Sequence, residues 1–101
     1  MKLIFSPVFE SDFSSGVEYL AREAGGKIVT RWEKSVYRTI TTLQENPQIG
    51  RLRRDLRPAG IRTFGVRDFP RHLIFYMVNK NELILLRVKH GAMNLQVLFS
   101  A

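Results

Sequence analysis

His72-Leu73-Ile74-Phe75-Tyr76-Met77-Val78, then Asn79-Lys80-Asn81, then Glu82-Leu83-Ile84-Leu85-Leu86-Arg87-Val88-Lys89-His90-Gly91 is the stretch on which the reading of this chain turns. Two apolar runs joined by a short Asn-rich turn predict a β-hairpin. Neither run alternates cleanly between apolar and polar, so both strands are expected centrally in a sheet, covered on most of both faces. The second run ends in charge, Arg87, Lys89 and His90, before Gly91 breaks it. A buried strand is thereby expected to present a cationic site at its exit.

Working outward towards the N-terminus, Ile61-Arg62-Thr63-Phe64-Gly65-Val66-Arg67 alternates enough for a third strand. Ile61, Thr63, Gly65 and Arg67 fall on one face and Arg62, Phe64 and Val66 on the other. Asp68-Phe69-Pro70-Arg71 reads as the turn into the hairpin. Before this strand, residues 47 to 60 have little periodicity and much charge. Arg51, Arg53, Arg54 and Arg57 put four guanidinium groups in seven residues, a fork geometry suited to phosphate or carboxylate oxygens. Leu52 and Leu56 are spaced for a single helical turn that pins this loop to the core.

The first half reads as a strand and two helices. Lys2 to Phe5 is a short strand able to join the sheet edge. Ser6-Pro7 has the chemistry of an N-cap followed by proline at the first helical position, where its missing N–H costs nothing. Phe9, Phe13, Gly16, Val17 and Leu20 then recur at helical spacing to about Ala24, with Glu10, Asp12, Glu18 and Glu23 outside that stripe. Gly25-Gly26 breaks the pattern. Val29, Trp32, Val36, Ile40 and Leu43 carry a second helix from about Lys27 to Glu45, and Asn46-Pro47 stops it. Aromatic residues at this spacing are what a helix needs to cover a sheet, so Phe9, Phe13 and Trp32 are assigned to the core and given no function. The expected architecture is α+β: an N-terminal strand, a two-helix hairpin and a three-strand antiparallel meander, with both helices on one face. Residues 92–99 are expected to add a short C-terminal helix or docked tail.

Composition narrows the function. At 101 residues and 45% hydrophobic, the chain (residues 1–101) is expected to form a single domain with one core. The absence of cysteine removes disulfides and thiolate chemistry and agrees with a reducing cytoplasm. His72 and His90 are far apart in sequence and suggest no metal site; no cofactor is expected. The N-terminal apolar run is too short for a signal peptide, and nothing approaches the roughly 18 apolar residues of a membrane span. The net charge of +7 is unevenly placed: residues 1–50 hold six basic and six acidic groups, residues 51–101 ten basic and three acidic. All of the excess lies in the second half, which points to an anionic partner, either nucleic acid or an acidic protein surface.

The element order, together with Glu45-Asn46-Pro47-Gln48-Ile49-Gly50, Arg57-Pro58-Ala59-Gly60-Ile61-Arg62, Leu73-Ile74-Phe75-Tyr76 and Leu86-Arg87-Val88-Lys89-His90-Gly91-Ala92, resembles the RelE/ParE superfamily of bacterial toxins. The resemblance covers nearly the whole chain. It implies a type II toxin-antitoxin system, in which an antitoxin with an acidic C-terminal segment wraps and neutralises the toxin. Two branches share the fold. RelE-like members resemble ribonucleases that cut mRNA on the ribosome, with cationic side chains and a C-terminal tyrosine or histidine for proton transfer; ParE-like members inhibit DNA gyrase and lack that set.

For the ribonuclease branch, metal-free RNA cleavage needs a base, a proton donor and cations for the developing phosphorane charge. The resemblance sets Arg67 and Arg87 roughly where the family's cations would fall, and His90 is the candidate for proton transfer, since imidazole is the side chain whose ordinary titration lies near neutrality. The tail supplies neither tyrosine nor histidine. Leu86 to Asn94 instead reads like the ParE strand end, so the chain is expected to be ParE-like, directed at DNA gyrase and without catalytic residues. The alternatives are a RelE-like endoribonuclease and a stand-alone basic nucleic-acid-binding domain. Residues expected to contact target or antitoxin are Arg51, Arg53, Arg54 and Arg57 on the loop, then Arg62, Arg67 and Arg71. Arg87, Lys89 and His90 at the strand end, with Asn94 beyond, complete the set.

Overall fold

A computed structural model describes residues 1–91. Seven elements follow in order: β1 (Lys2–Phe5), α1 (Pro7–Glu23), α2 (Gly26–Glu45), β2 (Arg51–Leu52), β3 (Arg62–Val66), β4 (Phe69–Asn79) and β5 (Glu82–His90). The expected C-terminal helix or tail, and Asn94 within it, lie outside the described residues. The strands make one sheet in the order β1-β5-β4-β3-β2.

The hairpin forms the centre of that sheet. β4 and β5 pair antiparallel from Asn79↔Glu82 to His72↔His90, and the two-residue turn places Lys80 at φ 55°, a left-handed conformation such connections require. Their register shifts between Phe75 and Tyr76. β1 returns to the sheet parallel to β5, pairing Lys2–Phe5 with Glu82–Leu85.

Both helices cover one face. The Ser6 side chain accepts the Phe9 N–H at 3.0 Å and donates to the Leu86 carbonyl at 2.8 Å. One hydroxyl thus caps α1 and ties its start to β5. Val29, Trp32, Val36, Ile40 and Leu43 of α2 are all buried, as their spacing requires. With Phe9 of α1, Trp32, Val36, Ile40 and Leu43 meet Val66, Ile74, Tyr76, Leu83, Leu85 and Val88 of the sheet. Each such side chain contributes about 1.5–3 kcal/mol when fully buried. On the opposite face Leu56 and Ile61 pack over Phe75, beside Leu73, Met77 and Leu86, so the arginine-rich loop covers part of that face.

Three local expectations are corrected. Asp68-Phe69-Pro70-Arg71 is not the turn: Arg67 and Asp68 make it, with Asp68 at φ 67°, and β4 already includes Phe69, Pro70 and Arg71. Proline is tolerated there because the ladder jumps from Gly65↔Leu73 to Val66↔Phe69, leaving Pro70 at an irregularity where no N–H is needed. Leu52 and Leu56 do not share a helical turn. Leu52 pairs with Arg62 in the short edge strand β2 and is 36% exposed, while Leu56 alone is buried. The third correction concerns Asp12, expected outside the apolar stripe of α1. It is 6% exposed and enters the candidate site.

Candidate functional site

On the side away from β4, β5 has no strand partner beyond Leu85 among the described residues, because β1 stops at Phe5. That free edge is taken over by side chains of the α1 region, Ser6 at Leu86 and Asp12 further along. Asp12 accepts the Val88 N–H at 3.3 Å. Its carboxylate also receives Arg87 Nε and Nη2, each at 2.9 Å, and Lys89 Nζ lies 3.5 Å away. Asp12 therefore takes the place of a strand at this edge and pairs with both Arg87 and Lys89, one negative charge against two positive, so the end of β5 stays cationic. The bidentate bond to Asp12, more than the carboxylate's field, raises the Arg87 pKa, against the opposing cost of its burial.

His90 sits next to this cluster, and the β4–β5 register places His72 directly opposite it. The two histidines, distant in sequence, stand with ring centroids 5.5 Å apart, edge to face. Trp32 Nε1 donates to His72 Nδ1 at 3.1 Å. An imidazole that accepts at Nδ1 is neutral and carries its proton on Nε2. Burial, and then the neighbouring His90, lower the His72 pKa. His72 is thus a fixed polar partner of a buried indole. Neither the pairing of the histidines nor the role of Trp32 could be read from spacing; only the hairpin register, once known, joins them. Among the described residues no three histidine, aspartate or glutamate side chains gather as a metal site.

A cleft of about 330 Å³ opens over this region, with Tyr19, Gly16 and Ser15 of α1 opposite His72, Lys89 and His90. The Gly16 position needs a small residue: a Cβ there would lie 2.7 Å from the Trp32 ring.

The remaining predicted cations do not converge here. Arg62 donates to the Gly50 carbonyl at 2.8 Å and to the Gln48 carbonyl at 3.3 Å, bracing the segment after α2. Arg53 grips Asp55 through two bonds of 2.9 and 2.6 Å, which pull the exposed Asp55 carboxyl below its ordinary range. Arg57 donates to the carbonyls of Arg54 and Leu56, both at 3.1 Å. Arg51, Arg54, Arg67 and Arg71 are exposed. Arg67 and Arg87 stand apart: Arg87 lies across β4 from Thr63, four residues before Arg67. Roughly 13 Å of strand and two strand spacings of about 5 Å separate them.

A third polar centre holds the fold. The Tyr76 hydroxyl donates to the Pro47 carbonyl and accepts the Gly50 N–H, both at 2.9 Å. Burial is the main cause of its raised pKa.

Comparison with known proteins agrees with this architecture. Residues 3–95 match the family described as ParE toxin of type II toxin-antitoxin system, parDE. Toxin ParE3 of Caulobacter vibrioides is 34% identical over 71 residues, covering 70% of this chain and 67% of that protein. Two solved structures share the fold. A protein of the chromosomal ParDE TA system from P. aeruginosa superposes with a TM-score of 0.74 at 18% identity, over 89% of this chain and 95% of that one. A copper-bound mutant toxin from Helicobacter pylori gives 0.61 at 23% identity, over 91% and 96%. With a family match spanning nearly the whole sequence and the expected sheet and helix hairpin in place, the chain belongs to the ParE toxin family of type II toxin-antitoxin systems.

Proposed function

We propose that this ParE-type toxin acts in the bacterial cytoplasm by inhibiting DNA gyrase, and that a cognate antitoxin with an acidic segment neutralises it. The family implies the antitoxin; the gyrase target is our reading of the site. The observation that carries it is the bidentate pairing of Arg87 with buried Asp12. A ribonuclease needs an uncompensated cation to meet the charge that develops on a phosphorane. Arg87, the cation that the family pattern would set at the phosphate, is already compensated by two bonds to a carboxylate, and Lys89, 3.5 Å from the same carboxylate, leaves the cluster one net positive charge. His72 gives its Nδ1 lone pair to Trp32, which removes one of the two histidines as a proton acceptor at that atom.

Inhibition of a protein target asks for something else, a rigid strand end whose shape and charge survive contact. The Asp12 network and the histidine pair supply that rigidity around Arg87, Lys89 and His90. Inducing the chain without an antitoxin tests the reading in cells: filamentation with DNA damage supports it, whereas codon-specific cuts in ribosome-bound mRNA support the ribonuclease alternative.

A further inference from the structure

The arginine-rich loop takes no part in the site around Arg87, yet it encloses a cleft of about 510 Å³. Leu52, Leu56 and Ala59 supply its apolar wall, and Arg53, Arg54 and Arg57 surround it. The loop is firmly based, since Leu56 and Ile61 are buried against Phe75, and β2 pairs with β3 beneath it. Its cations divide into two kinds. Arg53 and Arg57 are engaged within the loop, by Asp55 and by backbone carbonyls. Arg51 and Arg54 are exposed, and among the described residues the Arg54 guanidinium makes no hydrogen bond or ion pair.

We infer that this cleft is the docking site for the acidic segment of the cognate antitoxin. An apolar side chain of that segment enters between Leu52 and Leu56, and its flanking carboxylates pair with Arg54 and Arg51. The inference rests on the toxin-antitoxin reading above and adds to it a place and a chemistry. Two observations favour a peptide over a nucleic-acid backbone. Phosphate tracking calls for a row of available cations, whereas half of these guanidiniums are already satisfied inside the loop. An apolar wall between charges matches a segment that alternates carboxylates with an anchoring hydrophobe. The whole charge excess of the chain lies in the half that contains this loop, which gives an acidic partner its attraction.

The test uses the intact chain co-purified with the antitoxin encoded beside it. Hydrogen exchange should show residues 52–60 protected in the complex relative to the free toxin. Reversing charge with Arg51→Glu plus Arg54→Glu should weaken the complex at least about tenfold, the loss expected when two charge-assisted contacts become repulsive. The unfolding midpoint of the free toxin should move by no more than a few degrees, because both guanidiniums are exposed and among the described residues neither makes a hydrogen bond or ion pair, Arg51 acting on Asp55 only through its field. A complex that forms with this loop unprotected and with affinity unmoved by the double reversal would overturn the inference while leaving the toxin-antitoxin reading intact. Protection of the loop by a short DNA duplex, with the antitoxin leaving it open, would also overturn it. No complex of any kind would sink the antitoxin reading itself.

Discussion

Asp12 and Arg87, 75 residues apart in sequence, form a bidentate pair of two 2.9 Å bonds that joins α1 to β5. The carboxylate side chain is 5% exposed and the guanidinium 18%. Removing one partner from such a pair leaves a desolvated charge without compensation, whereas replacing both removes the desolvation cost as well.

Asp12→Ala should therefore cost about 3 kcal/mol, the lower end of the range for breaking a buried pair, since Arg87 keeps some water. The double change Asp12→Leu with Arg87→Met should cost less than Asp12→Ala alone. Urea denaturation of the single and double variants measures the coupling directly. Strictly additive losses would mean that the pair contributes nothing to holding the strand end.

Asp12 also shows where the sequence stopped being legible. In the sequence it is set outside the apolar stripe with Glu10 and Glu18, yet it stands three residues after Phe9 and four before Gly16, on the flank of the face that α1 buries. Its burial arises because β1 ends at Phe5 and, among the described residues, no strand continues along that edge of β5, a fact of sheet topology that no local window contains. The stripe of α2 was readable because every position in it meets the same sheet face. The histidine pair was not, because it exists only through the His72↔His90 register. β2 escaped notice because two residues, Arg51 and Leu52, are too few to show a period, and Phe69–Arg71 because proline masked the strand.

Burial of His72, with His90 beside it, makes stability depend on pH in a stated direction. The His72 pKa is lowered in the folded chain from its ordinary 6.5. The unfolded chain then takes up a proton before the folded one does, so the contribution is complete above about pH 6.5 and is lost as pH falls through the folded value. The urea midpoint should decline from pH 7.5 to 5, and His72→Phe should flatten that decline. The same variant should lower stability at pH 7.5 by about 1–3 kcal/mol, since the Trp32 N–H loses its acceptor. An unchanged slope in the variant would assign the pH dependence elsewhere.

Tyr76→Phe removes one hydroxyl and leaves the buried Gly50 N–H without an acceptor, an expected loss of about 1–3 kcal/mol. Gly50→Ala should be at least as damaging, because the added Cβ would collide with that same hydroxyl. Thermal unfolding of the two variants checks both; a wild-type midpoint for either would show that the segment after α2 does not depend on this contact.

His90 separates the two branches of the superfamily. Under the gyrase reading, His90→Gln keeps the size and polarity of the strand end and should leave toxicity within a few-fold of the parent. Loss of a general acid or base would instead cost about 10²–10⁴-fold in rate. Growth curves after titrated induction, with matched protein levels, distinguish these outcomes.

The most direct measurement places the purified toxin with DNA gyrase and relaxed plasmid, and in parallel with ribosomes carrying mRNA. The predicted result is inhibition of supercoiling that is relieved by the cognate antitoxin, with the mRNA left intact. Unimpaired supercoiling together with cleavage of the ribosome-bound mRNA would contradict it.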